Sequence, residues 1–598
     1  MALGIWVWFL LLPFIICCSA CLQEERSSLL DFKQGINITY YRGFQLPLES
    51  WRGLNCCSWE GVGCHPHTAH LITLDLSYSL IQWSEVRGGL FQLLHLEHLD
   101  LSWNYFTSLS IPPQVGELRR LKYLGLYECE FIGQIPRELT KLQQLEQLDL
   151  SYNHLHGAIS REMCNMSTMK FLALSWNDDL ISVWHKILGW KDTWLLSPIS
   201  ASLTNLTALY MSNCGLSGEI PPFFANLSRL QQLSLSRNSF RGKIPTYLGA
   251  LPLSALDLSA NNLEGFIPSS LTHLSNLEYL YLSSNKLNGS IPSTLGNLSA
   301  LYKLELHNNS LSGPIPTSFG KLSKLTLLDL AKNRLIGTFS FFILNNCPKL
   351  SYVDLSSNML TITFNASIIP KFQLNSLALH ECNIRGTFPG FISTQYSIQY
   401  LDLSNNFLSG FISNWLWGFT YIEYIDLSNN LFDGSISKSI NKYTQHLQFL
   451  SLAKNNLSGS IPNSVFKLKS LNILDLSNNK FSGKIPQCLK NCSMLSVLNL
   501  ERNNLEGMIP SICERMNSLG TLKLGDNALE GYVPSSLGKS RNLHILDLRN
   551  NNLLGNISDW VKSLHNLQIL ILQNNNFKGT IPLQLTKLQN LQILDFKK

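Results

Sequence analysis

At 598 residues the chain exceeds the roughly 250–300 residues at which one hydrophobic core stops growing, so it is several domains or a stack of repeats. Hydrophobic residues make up 45%, but charged ones only 14%, against roughly 25% in ordinary soluble domains; neutral Asn, Ser and Gly fill the difference. The net charge of +6 contains no Lys/Arg block, which argues against nucleic acid as a partner and leaves only weak attraction to acidic cell-wall polymers.

Residues 1–20 are apolar from Leu3 to Cys18 and close on Cys-Ser-Ala at Ala20. That run is shorter than the ~20 residues of a membrane span, so it reads as a signal peptide, although no Lys or Arg precedes it. A mature chain beginning at Cys21 would be secreted, where disulfides form. Residues 21–70 read as a stapled N-terminal cap. Leu29, Leu30 and Phe32 among charged neighbours predict a short amphipathic helix from Glu24 to Phe32. Cys21, Cys56, Cys57 and Cys64 allow three pairings; adjacent Cys56 and Cys57 rarely bond each other, which favours Cys21–Cys56 and Cys57–Cys64 over a zinc site.

From residue 71 onward a leucine opens a strand about every 24 residues, as at Leu71, Leu96, Leu121, Leu145, Leu206, Leu230, Leu277 and Leu567. In Leu277-Glu-Tyr-Leu-Tyr-Leu-Ser-Ser-Asn285, Leu277, Leu280 and Leu282 point inward, and Tyr279, Tyr281 and Ser283 are expected to face out. Asn closes the strand at Asn104, Asn153, Asn238, Asn261, Asn285, Asn333, Asn479, Asn503 and Asn551, where a buried amide can pair with the backbone of successive turns. Cys129, Cys214 and Cys382 occupy the same column and read as buried, reduced thiols. Gly-x-Ile-Pro follows, as at Gly242–Pro245 and Gly483–Pro486, with Gly for the turn and Pro to end the extended piece. The expected fold is an α/β leucine-rich-repeat solenoid, a right-handed curved superhelix with a parallel sheet on its concave face. Block 1 spans 71–176. An insertion at 177–202, carrying Trp184, Trp190 and Trp194, is expected to fold over one flank. Block 2 runs from 203 to 598 and ends inside a repeat.

Cys56-Cys-Ser-Trp-Glu-Gly-Val-Gly-Cys64, ahead of repeats such as Leu471-Asn-Ile-Leu-Asp-Leu-Ser-Asn-Asn-Lys-Phe-Ser-Gly-Lys-Ile-Pro486, resembles the ectodomains of plant leucine-rich-repeat receptor-like proteins without a kinase, particularly the fungal-xylanase receptor group. The resemblance implies recognition of an extracellular peptide, protein or elicitor in defence or development, at the cell surface or in the apoplast, with signalling through a receptor-like kinase co-receptor. It also implies an island loop, further repeats, a membrane helix and a short tail, none of which follows Lys598. The sequence therefore reads as truncated or as a secreted decoy. An alternative is a secreted inhibitor of a cell-wall-degrading enzyme, like the polygalacturonase-inhibiting proteins.

No phosphate loop, kinase catalytic loop, nucleophile elbow or His/Glu metal motif appears, so neither an enzyme, a cofactor nor a metal is expected. Ligand contacts are expected on the outward strand columns. The column before the Asn carries Tyr78, Trp103, Glu128, Tyr152 and Trp176, then Arg237 and Lys332; an aromatic stripe offers anchoring area. Between the inner leucines Asp is common (Asp257, Asp329, Asp354, Asp402, Asp475, Asp547) and reads as scaffold, with Tyr210, Tyr281 and Glu305 as exceptions that join the candidate site. Glycosylation sequons stand at Asn37, Asn165, Asn205, Asn226, Asn288, Asn297, Asn308, Asn365, Asn456, Asn491 and Asn556. A glycan on Asn308 would keep a ligand off the middle repeats. Among Cys164, Cys347, Cys488, Cys492 and Cys513, the last three are expected to lie close enough for two to pair.

Overall fold

The computed structural model describes residues 21–38, 47–83, 88–157, 159–177, 203–364, 369–440, 444–511, 518–580 and 583–596. The signal peptide, residues 178–202 of the expected insertion, Asn365 and Cys513 lie outside them. The chain divides into two units, residues 1–286 and 287–598.

In the first unit the cap helix α1 (Gln23–Gln34) buries Glu25, Leu29 and Phe32. Cys21 is bonded to Cys56 and Cys57 to Cys64, with Cα separations of 5.3 and 5.5 Å. Trp51 and Trp59 stack at 5.4 Å and donate their indole N–H groups to the carbonyls of Glu60 and Arg52. Strand Val62–Cys64 runs antiparallel to Leu71–Asp75, covering a sheet edge that would otherwise expose unpaired backbone groups.

From that edge the strands are parallel and short, three residues in most repeats. Their central leucines pair in one register: Leu74, Leu99, Leu124, Leu148, Leu172, Leu209, Leu233, Leu256 and Leu280. Phe171–Ala173 pairs directly with Ala208–Tyr210, so the ladder continues across the residues of the insertion. The second unit repeats the arrangement from Lys303–Glu305 through Ile593–Asp595, with Leu304, Leu328, Val353, Leu377 and Leu401 in line. Each turn leaves apolar edges bare that only the next turn covers, so these registered leucines, almost all fully buried, hold the stack together.

The Asn column supplies the polar half of that spine. Asn104 donates through Nδ2 to the carbonyls of Leu76 (2.9 Å) and Leu101 (2.8 Å), and its Oδ1 accepts the Ile81 N–H at 2.8 Å. Asn153, Asn261, Asn333, Asn479 and Asn551 repeat this pattern. Where Cys129 replaces the amide, its thiol donates to Leu101 O (3.1 Å), and the Phe106 N–H turns to the Cys129 carbonyl (2.9 Å). Cys129, Cys214 and Cys382 are buried and unbonded, and desolvation pushes the Cys129 thiol up to about 12.

A lateral row of short parallel strands, not foreseen in the sequence, follows the Asn. Ser239–Lys243 pairs with Asn262–Gly265, and Arg334–Ser340 with Met359–Thr363. Gly242 bends the first of these at φ +78°. Pro245 then caps the 3-10 helix Thr246–Ala250.

One expectation is corrected. Ser283 is buried, not outward, because the strand ends at Tyr281 and the chain turns at Ser284, φ 55°. The small hydroxyl is tucked between turns, as at Ser151, Ser212 and Ser236.

Candidate functional site

The column expected to carry ligand contacts has a backbone of its own. Tyr78, Trp103, Glu128, Tyr152 and Trp176 all have positive φ, between 50° and 60°. Their N–H groups are drawn to the next turn: Tyr78 to Ser102 O, Trp103 to Tyr127 O, Glu128 to Ser151 O, Tyr152 to Ser175 O and Trp176 to Ser212 O, at 2.7–3.0 Å. This left-handed geometry costs a non-glycine residue roughly 1–2 kcal/mol, less for Asn and Asp. In the second unit the same column bears Asn405, Asn429, Asn478, Asp526, Asn550 and Asn574, residues that suit it, interspersed with Lys332, Ser357, Glu381, Lys454 and Arg502. Large aromatics in the first unit run against the backbone preference.

Those aromatics form a continuous ladder. Tyr78 stacks on Trp103 at 5.1 Å, Trp103 meets Tyr127 at 5.4 Å, Tyr127 meets Tyr152 at 5.0 Å, and Tyr152 stacks on Trp176 at 5.3 Å. The guanidinium of Arg237 lies 5.5 Å from the Trp176 ring centre and closes the row. Tyr127, which the column reading missed, fills the gap that Glu128 leaves; it belongs to the neighbouring column, so periodicity alone could not add it. Burial raises the Glu128 carboxyl and the Tyr127 phenol above their usual ranges. Stacking does not hide the row: Tyr78 is 67% exposed, Tyr152 40% and Trp103 37%.

Beside Tyr152, Trp176 and Arg237 the surface dips into an open cleft lined also by Tyr210, Asp149 and Asp257. Its floor is a hydroxyl network: Ser236 donates to Ser212 (2.9 Å), Ser212 and Ser234 share a bond of 2.7 Å, and Ser234 donates to Asp257 (3.1 Å). Tyr210 donates to Gln232, and burial raises its phenol. The aspartate column is structural: Asp100, Asp149, Asp354, Asp402 and Asp475 each accept the N–H two residues on at 2.9 Å. Desolvation raises the Asp149 and Asp354 carboxyls despite those bonds.

Tyr281 is half-buried, its ring 6.3 Å from Tyr279. Glu305 (half-buried), Lys332 and Asn308 (both exposed) lie in the second unit, the last two at φ 53° and 55°. Asn165, Asn226, Asn288, Asn297 and Asn456 are exposed, whereas the Asn205 side chain bonds Ser167 O and Arg229. The side chains of Asn37, Cys164 and Asn491 are outside the described set; Cys347, Cys488 and Cys492 are free thiols.

A leucine-rich repeat region model matches residues 190–409, a leucine rich repeat N-terminal domain model residues 22–65, and a leucine rich repeat model residues 445–505. Receptor-like protein EIX2 of Solanum lycopersicum is 40% identical over 291 residues, covering 44% of this chain and 28% of that protein. Receptor-like protein Cf-9 of Solanum pimpinellifolium is 33% identical over 275 residues, 43% of this chain and 31% of its own length. The chain thus matches less than a third of either relative. Among solved structures, the Arabidopsis receptor kinase HAESA, in complex with the peptide hormone IDA and the co-receptor SERK1, superposes with a TM-score of 0.73 at 30% identity, covering 94% of this chain and 95% of that one.

Proposed function

Because the chain belongs to the plant leucine-rich-repeat receptor-like proteins, we propose that it is an extracellular recognition protein and not an enzyme, and that the ladder from Tyr78 to Trp176, with Arg237, anchors its ligand. The observation that carries this reading is the cost of the ladder: five large rings, four of them on a left-handed backbone that Asn would occupy more cheaply, remain partly exposed. Fold stability does not ask for them, since the second unit uses Asn or Asp at most of the same places and an aromatic at none of those described. Exposed aromatics beside an Arg and a hydroxyl-lined cleft suit an apoplastic peptide, protein or elicitor, which a partner receptor kinase would then read. HAESA's complex with a peptide hormone and a co-receptor supports that division of labour. No helix of the described residues is long and apolar enough to cross a membrane.

The test is binding of the purified chain to a fixed panel: a fungal xylanase, a polygalacturonase, synthetic apoplastic peptides and cell-wall oligosaccharides. A panel member should bind wild type and lose at least tenfold in affinity with Trp103→Ala and Tyr152→Ala. Binding indifferent to both substitutions, or stoichiometric inhibition of the polygalacturonase, would overturn the assignment.

A further inference from the structure

Three side chains that recognition does not use meet where the cap joins the first two repeats. Glu25 comes from α1, His70 immediately precedes the strand Leu71–Asp75, and His95 lies in the turn before His98–Asp100. The Glu25 side chain is only 8% exposed. Its Oε2 accepts the Leu71 N–H at 2.8 Å, and its Oε1 faces both imidazoles, 3.2 Å from His70 Nδ1 and 3.6 Å from His95 Nδ1. The two rings stack at 3.5 Å, each about a third exposed, so the cluster opens to water on the imidazole side.

We propose that Glu25, His70 and His95 form a binding site for a divalent transition-metal ion of the zinc type, with water in the fourth place. The ligand set, two imidazoles and a carboxylate beside an open position, suits that ion. Bonds of roughly 2.0–2.1 Å place neighbouring corners of a tetrahedron about 3.3 Å apart. The two Glu25–His separations bracket that edge, and all three ligand atoms lie within 4.8 Å of one another. The Leu71 N–H holds the carboxylate in orientation, the outer-shell support that metal ligands need. Both imidazoles must present lone pairs, so uptake displaces any proton they carry, and the positive charge of Arg120 near His95 limits affinity.

Uptake has a structural signature. Tetrahedral coordination sets imidazole centres about 5 Å apart, so the stacked rings must splay, exchanging their contact for two metal–nitrogen bonds. The bound ion would tie α1 to the first two repeats and stabilise the folded chain by mass action. Sequence inspection offered no motif here, because Glu25 and His70 are 45 residues apart.

The experiment uses the full chain without a polyhistidine tag, stripped with a chelator and titrated with Zn2+, then with Co2+ as a spectroscopic substitute. One equivalent is expected to bind, the thermal midpoint to rise with the logarithm of Zn2+ concentration, and Co2+ to give the intense visible bands of tetrahedral coordination. His95→Gln and Glu25→Gln should lower affinity at least tenfold; His67→Gln, at an exposed histidine, should not. Absence of a zinc-dependent shift in wild type, a shift intact in His95→Gln, or one lost in His67→Gln overturns the site. If Glu25→Gln does not fold, the wild-type Co2+ spectrum and His95→Gln decide between the outcomes.

Discussion

Replacing Asn104 by Ala tests whether the amide spine holds the recognition ladder in place. Asn104 is fully buried and serves three groups that have little recourse to water: the Ile81 N–H at 2.8 Å, the Leu76 carbonyl at 2.9 Å and the Leu101 carbonyl at 2.8 Å. Its contacts with the Leu101 and Ser102 carbonyls count for less, because the first also accepts the Cys129 thiol and the second the Tyr78 N–H. The two groups left orphaned, the Ile81 N–H and the Leu76 carbonyl, cost about 1–3 kcal/mol each, so the substitution should remove roughly 3 kcal/mol. Stacked repeats respond locally, so the effect belongs to the turns on either side. Backbone amides around Ile81 and Phe106 should exchange roughly a hundredfold faster, since 1.4 kcal/mol is a factor of ten. Asn104→Cys should recover part of the loss, because Cys129 reaches the corresponding carbonyl of the preceding turn through its thiol and takes the N–H on its own backbone carbonyl. Hydrogen exchange read by mass spectrometry separates the three proteins. Exchange in Asn104→Ala within threefold of wild type, or a Cys variant no better than Ala, would refute the reasoning.

Three further outcomes follow from the same geometry. Trp103→Gly gives up stacking with Tyr78 and Tyr127, about 0.5–1.5 kcal/mol each, but regains part through relief of its positive φ. Denaturant unfolding should therefore change by less than about 2 kcal/mol while ligand binding is lost; an unfolded variant would show the ring to be structural. In the second unit the Asp329 carboxylate, 3.1 Å from His307 Nδ1, holds that imidazole above its usual range against the opposing effect of burial. A raised folded value stabilises fully below about pH 6.5 and fades as pH climbs through it, so the deficit in thermal midpoint of His307→Gln should be largest in mild acid and vanish in alkali. A deficit growing with pH contradicts this sign. Finally, burial raises the thiols of Cys129 and Cys492 to about 12, whereas Cys488 is partly exposed. Native-state alkylation should mark Cys488 well before the other two, and equal rates would count against the burial.

The repeat frame was legible because its two signals are periodic: leucines that must face one core and an asparagine that must serve two turns. The aromatic stripe could be read from the same count, but its backbone could not. Positive φ at Trp103 or Tyr152 arises from an N–H drawn to the next turn, a contact between residues about two dozen positions apart. The burial of Ser283, the lateral strands and the arrival of Tyr127 in the gap beside Glu128 share that origin. Glu25, His70 and His95 meet through the docking of the cap, which follows no period at all.

The left-handed column also limits the vocabulary with which this surface can be written. At Tyr78, Trp103, Glu128, Tyr152, Trp176, Arg237, Ala260, Ser284, Lys332, Glu381 and Lys454, as at the Asn and Asp positions, side chains of very different size and charge share one conformation, and none branches at Cβ. Val, Ile and Thr are the residues for which positive φ is a true outlier. A lineage altering its specificity at this column can therefore change charge, reach and aromaticity one turn at a time, in steps of about 5 Å, without disturbing the spine, provided that it forgoes those three letters.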